Sequence, residues 1–307
     1  MKKYLLSIFC LVILLAGCKE SPKPVAIGLD GREFFEPERT PEQQFKLEKE
    51  LELAKENFDK NPTEDNYIWY GRREAYLMHF DRAIEIFTEG IERYPESFSL
   101  YRHRGHRYIT IRKFDKAIED FQKAVKLMEG ASVLSEEDGI PNKLNIPLST
   151  VQFNVWYHLG LAHYLKGEFE DAVRAYETCL TFCDNDDLLV ATSDWLFMTY
   201  QKLQRKEEAL AVLNKIPEKV TILENDTYLK RLNMYKGLNP PELLLALESG
   251  PVSTDLAFAT QGYGVGNWYL IQGDTVRAKD VFKHVVEGPY FSAFGFIAAE
   301  VELLKLN

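Results

Sequence analysis

The sequence predicts an all-α fold, a solenoid of stacked helix–turn–helix units closed by a capping helix at each end. Three observations predict it. The first is a spacing rule: a glycine stands twelve residues before an alanine, and a large apolar residue follows that alanine by four. It recurs at Gly71/Ala83/Phe87, Gly105/Ala117/Phe121, Gly160/Ala172/Tyr176 and Gly266/Ala278/Phe282, with a weaker copy at Phe197/Ala209/Leu213. The second is the period: Gly71 and Gly105 are 34 residues apart, and self-similarity at 20–50 residues marks a repeat architecture. The third is that other markers fall in register, with Tyr101 and Tyr108 flanking Gly105, Trp156 and Leu159 preceding Gly160, and Pro95 closing the first copy.

The elements follow in order. Residues 1–17 read as a leader: Lys2 and Lys3 precede an apolar run from Tyr4 to Ala16, too short to span a bilayer and suited to a signal segment. Residues 18–40 hold Pro22, Pro24 and Pro37 with no helical period, and predict a flexible tether. The solenoid domain is assigned to 41–307. Its first helix runs from Pro41 to Lys60, stops at Asn61-Pro62 and caps the N-terminal edge. Repeats follow over 63–94, 97–128, 151–182 and 188–216, then a divergent pair over 221–236 and 240–247, and a last repeat over 254–286. An insertion over 129–149 breaks the period between the second and third repeats. Residues 291–306 form a final apolar helix expected to cap the C-terminal end.

The period and markers resemble the tetratricopeptide repeat (TPR), a helix–turn–helix unit whose usual Tyr is His163 in the third copy. The stretches Tyr101–Tyr108, Trp156–Lys166 and Gly262–Leu270 are similar to an uncharacterised family of bacterial TPR lipoproteins, which implies no transferable activity. Leu15-Ala16-Gly17-Cys18 resembles a bacterial lipoprotein signal. That resemblance implies cleavage before Cys18, acylation of Cys18 and a lipid-anchored protein of the bacterial envelope. Lys19 in place of an aspartate points to the outer membrane where there are two.

Charge and motif content bound the function. Loss of Lys2 and Lys3 takes the formal charge from −10 to −12, which argues against nucleic acid as a partner. No nucleophile elbow or catalytic triad pattern is present, and no cofactor is implied. Gly262-x-Gly264-x-Gly266 lacks the βαβ setting of a dinucleotide site and reads as close helix packing. Glu136-Glu137-Asp138 in the insertion reads as a solvated acidic tip. Cys179 and Cys183, one helical turn apart, read as packing residues, because helical i,i+4 cysteines aim poorly for a disulfide. His103, His106, His158 and His163 complete no zinc set and read as structural.

In such repeats the first helix of each pair lines a concave groove. Register aims Arg72, Arg102, His106, Tyr157, Tyr263 and Asn267 into it. Arg72, Arg102 and His106 form a cationic wall that suits an anionic group such as a peptide carboxylate, with a solvated, locally paired face as the competing reading. Glu74 and Arg104 interrupt apolar slots and are expected to pair with each other as a buried ion pair. The function expected is a lipid-anchored scaffold binding a protein or peptide partner in its groove. The alternatives are a small-ligand or enzymatic site built on the Arg/His groove, and a scaffold for envelope assembly.

Expression with a clickable fatty acid is expected to label the wild type and to leave Cys18→Ser unlabelled and soluble. Equal labelling of the two would remove the lipoprotein reading.

Overall fold

In the four repeats with a marker glycine the spacing rule is a physical contact. A Cβ built on Gly71 would lie 2.4 Å from the ring of Phe87, on Gly160 2.7 Å from Tyr176, and on Gly266 2.4 Å from Phe282. The paired helices can therefore approach only because the first carries no side chain where the ring crosses it. Ala83, Ala117, Ala172, Ala209 and Ala278, one turn before each large residue, are fully buried for the same reason.

The computed structural model describes residues 23–139, 142–245 and 253–306, with side chains of the last stretch from 256. The leader over 1–17 and Cys18 lie outside the described residues. Helix α1 (Pro41–Lys60) leads into pairs α2 (Glu64–Tyr76)/α3 (Phe80–Arg93) and α4 (Phe98–Thr110)/α5 (Phe114–Leu127). Next come α6 (Val151–Lys166)/α7 (Phe169–Leu180), α8 (Asp186–Lys202)/α9 (Lys206–Asn214) and the divergent α10 (Asp226–Tyr235)/α11 (Pro241–Leu245). The last pair is α12 (Ser253–Ile271)/α13 (Thr275–Glu287), followed by the single helix α14 (Phe294–Leu306). Among the described residues no helix is long and apolar enough to cross a membrane.

The two helices of a pair start differently. Thr63, Ser97, Thr150 and Asn185 each accept a backbone N–H at the start of α2, α4, α6 and α8. The second helices have no such cap except α13, because they leave directly from a tight turn. Seven residues after each marker the backbone is left-handed: Met78 (φ 63°), Arg112 (φ 61°), Gly167 (φ 83°), Gln204 (φ 60°) and Gly273 (φ 79°). The next N–H then reaches back to a carbonyl five residues earlier, as from Lys113 to Tyr108 and from Glu168 to His163.

Two expectations are corrected. Residues 23–40 are not a free tether: β1 (Ala26–Ile27) and β2 (Glu33–Phe34) pair antiparallel, and Phe34 stacks on Phe291 at 4.7 Å and meets Phe296 edge-on at 5.6 Å. The prolines there start and end a packed hairpin. Helix α14 does more than cap an end. It crosses the concave side, where Phe294 meets His106 of α4 and His158 of α6, and Glu302 pairs with Lys202 of α8 at 2.9 Å. Arg112, in the α4–α5 turn, fixes it by pairing with Glu300 at 2.8 Å. The insertion, whose role the sequence left open, has paired strands of its own. Strands β3 (Ser135–Glu136) and β4 (Ser149–Thr150) pair and turn it back over the groove.

A leucine at Ala117 or Ala172 would push on the ring contact next to it. Each of Ala117→Leu and Ala172→Leu is expected to lower unfolding free energy by about 1–3 kcal/mol in urea denaturation. Unchanged midpoints in both would show that the alanines do not set the helix separation.

Candidate functional site

Arg102 and His106 do share one face of α4, as register requires, but the protein's own insertion occupies that face. Glu136 reaches Arg102 Nη2 at 2.8 Å and accepts from Asn154 Nδ2 at 3.1 Å. Arg102 and Glu136 are both buried, at 7% and 8% exposure, so this carboxylate is not a solvated tip. Arg102 Nη1 also lies 3.1 Å from His103 Nδ1. His106 packs its ring on His158 at 4.6 Å. The cationic wall expected for an anionic ligand is thus neutralised internally at Arg102, and His106 is walled in by α14.

Burial holds His103 and His106 well below the usual imidazole range and brings His158 down to about 3, with the charge of Arg102 acting in the same direction on all three. The cluster is neutral at neutral pH and presents no cationic imidazole.

Glu74 and Arg104 do not meet. Glu74 accepts from His79 Nδ1 at 2.7 Å across its own helix turn. His163 and Glu168 repeat that contact with the residues exchanged, also at 2.7 Å, in the third repeat. The slot therefore closes a turn and takes a polar pair as readily as a tyrosine. Arg104 instead forks onto Asp120 at 2.9 and 2.7 Å and donates to Thr88 at 3.1 Å. In neighbouring repeats the two positions are Tyr70 with Ile86 and Leu159 with Ala175, so one repeat has exchanged an apolar pair for an ionic one.

Tyr157 is buried and its hydroxyl donates to Tyr228 at 3.3 Å. Tyr263 and Asn267 are not groove residues but core, both fully buried. Tyr263 stacks on Trp195 at 5.7 Å and shares a 2.6 Å hydrogen bond with Tyr164. Beside them Arg231 of α10 pairs with Asp194 at 2.8 Å with both side chains sealed. Gly264 makes room for it, since a Cβ there would lie 2.2 Å from Arg231 Nε. The triple-glycine stretch is packing throughout, with Gly262 against Val285 and Gly266 against Phe282. Cys179 and Cys183 are free thiols; Cys179 is fully buried.

His163, Glu168 and Asp171 bring possible ligand atoms within 4.8 Å of one another, a cluster the sequence spacing did not reveal. Lys166 Nζ already sits 2.7 Å from Glu168, which supplies the cation there.

A cleft of about 1000 Å³ opens at the N-terminal end. Trp69 and Tyr76 of α2 line it, with Leu47 of α1, Asp138 of the insertion and Tyr290 around them. Arg72 lies 4.4 Å from the Trp69 ring centroid and Arg73 5.1 Å. Arg73 is tied to Glu50 at 2.7 Å and donates to the carbonyl of Gly139 at 3.3 Å. A Cβ on Gly139 would fall 1.4 Å from Tyr76 Oη, so a side chain there would displace the tyrosine hydroxyl on which the insertion rests. Behind the same segment lies a smaller cavity of about 330 Å³, reached by Arg72, Tyr157 and Tyr228. Trp69 and Tyr76 escaped the sequence reading because neither occupies an inward-facing register slot.

Comparison with known proteins agrees with the repeat architecture. Two family profiles described as tetratricopeptide repeat match residues 153–186 and 99–128, which are α6–α7 and α4–α5. A tetratricopeptide repeat protein from Parabacteroides merdae has a similar structure, at TM-score 0.50 and 17% identity, over 86% of this chain and 93% of that one. YrrB, titled a TPR protein with an unusual peptide-binding site, aligns at TM-score 0.44 and 13% identity over 77% of this chain and 92% of that one. The small glutamine-rich tetratricopeptide repeat-containing protein 2 of Saccharomyces cerevisiae is 19% identical over 170 residues, 55% of this chain. The chain spans 42% of that relative's length.

The neutral histidines make stability depend on pH. Their folded-state values lie below the unfolded value of about 6.5, so their contribution is complete above that pH and is lost as pH falls, by up to about 1.4 kcal/mol per pH unit per group. Asp194, raised by burial against the pull of Arg231, acts with the opposite sign. Urea midpoints of the wild type and of His103→Gln/His158→Gln share that term. The wild type is expected to lose more stability between pH 7 and pH 5 than the variant; equal slopes would mean the histidines titrate freely.

Proposed function

We propose that this tetratricopeptide-repeat solenoid is a protein-binding scaffold that docks a partner segment in the cleft between α1, α2 and the insertion. The observation that carries it is the state of the concave face. Helix α14 and the insertion fill it beside α4 and α6, and the aromatic cleft at Trp69 and Tyr76 is the large opening that remains among the described residues. Its volume suits a few side chains of an extended segment, and Trp and Tyr offer apolar area at low entropic cost. The polar groups around it are held in place by Arg73, Glu50 and Gly139, so the site is preformed.

In this reading the scaffold is held at the bacterial envelope by lipid on Cys18, at the outer membrane where there are two. The residues Leu15-Ala16-Gly17-Cys18-Lys19 support that placement. Binding needs no chemical step.

Selection of displayed dodecapeptides against immobilised protein tests the docking site. The wild type is expected to enrich binders, Trp69→Ala to weaken them by about tenfold or more, and Leu210→Ala on α9 to leave them unchanged. Binding indifferent to Trp69→Ala would place the docking surface elsewhere.

A further inference from the structure

The sign of the charge in this cleft is opposite to the one its arginines suggest. Arg39 is paired with Glu36, Arg73 with Glu50 and Arg102 with Glu136. Each of these cations is spent on a carboxylate of this same chain. Glu38, Glu137 and Asp138 also line the cleft, and Glu224 joins Glu137 and Asp138 around the smaller cavity behind it. None of these four has an ion-pair partner among the described residues. Against them stand Lys46 at the rim, Arg72, whose guanidinium lies over Trp69 and 3.4 Å from the Tyr76 hydroxyl, and Arg107, whose charge acts on Arg72 and Arg102 from α4.

Resting on the docking reading above, we infer that the partner segment is cationic, an extended stretch of protein carrying lysine or arginine beside apolar residues. Three features favour it. The unpaired carboxylates Glu137 and Asp138 form the wall between cleft and cavity, where a basic side chain reaching through would meet them. The surfaces beside that wall are aromatic, Trp69 and Tyr76 on one side and Tyr157 and Tyr228 on the other, and offer apolar area to the residues flanking the basic one, while Arg72 and Arg73 of this chain already lie over Trp69. The protein as a whole carries a net charge of −10, so the long-range field also steers a basic partner inward.

The titration of the wall agrees. Burial raises the Asp138 carboxyl and Glu224 raises it further, while the charge of Arg72 pulls it down. Those carboxylates repel one another and gain from a cation brought between them. An acidic segment, the ligand that Arg72, Arg102 and His106 were first expected to hold, would instead face Glu137 and Asp138.

The test uses three pools of labelled dodecapeptides with the same apolar and aromatic positions, the others being Lys/Arg, Gln/Ser or Asp/Glu. Affinity is read by fluorescence polarisation against the wild type, Trp69→Ala and Glu137→Gln/Asp138→Asn. The basic pool is expected to bind the wild type most tightly, to weaken as salt is raised, and to lose roughly tenfold in Glu137→Gln/Asp138→Asn. Thermal melting of that variant should match the wild type, since neither side chain makes an ion pair. Equal affinity for the three pools, or preference for the acidic one, with binding still sensitive to Trp69→Ala, would overturn the cationic partner and leave the docking site standing. Binding by no pool would overturn both.

Discussion

Four repeats of this protein hang on a ring laid across the backbone of a glycine sixteen residues earlier. At Gly71, Gly160 and Gly266 a Cβ would stand 2.4–2.7 Å from that ring, closer than atoms can pack. The contact fixes how near the two helices of a pair come, and the left-handed residue seven places after the glycine fixes how the chain turns between them. Met78, Arg112 and Gln204 hold that conformation without being glycine, at a local cost of about 1 kcal/mol that the buried pair contact offsets. Repeating one pair geometry curves the stack, so the first helices face inward and their side chains converge.

That convergence explains where sequence reading succeeded and where it stopped. Gly71, Ala83 and Phe87 interact within one repeat, so their spacing is visible in a single stretch of chain, and the helix boundaries follow from it. The same holds for Cys179 beside Cys183 and for Gly262, Gly264 and Gly266. Register also placed Arg102 and His106 on one inward face. What it could not supply is what those side chains face. Arg102 meets a carboxylate from an insertion outside the repeat pattern, and Arg112 meets Glu300, a partner 188 residues away. No periodicity encodes either distance.

Two of the corrected pairs were in principle readable. Glu74 with His79 and His163 with Glu168 occupy the same two repeat positions in reversed order, which marks a compensated polar slot rather than two stray charges. Arg104 and Asp120 likewise stand where the neighbouring repeats carry buried apolar residues. Comparing repeats position by position, instead of asking which residues depart from a consensus, finds both. Phe34 and Phe35 carried a similar signal, since paired aromatics in an exposed tether would be unusual, and Phe34 is the residue that anchors the hairpin to Phe291.

The groove shows why composition cannot stand in for local electrostatics. An acidic protein with arginines clustered on inward faces invites the reading of a cationic pocket set against the average. A buried arginine, however, is costly without a partner; the chain provides a carboxylate for Arg73, Arg102, Arg104, Arg112 and Arg231, while Arg107, with no ion pair among the described residues, is brought down to about 10 by burial. Once those pairs form, the charges left to act on a ligand are the ones nothing in the chain has claimed. In the cleft beside Trp69 these are mainly carboxylates, held on a backbone that Gly139 presses against Tyr76. The insertion thus does two jobs with adjacent residues: Glu136 turns inward and completes the fold, while Glu137 and Asp138 remain at the opening and set the sign of what can enter it.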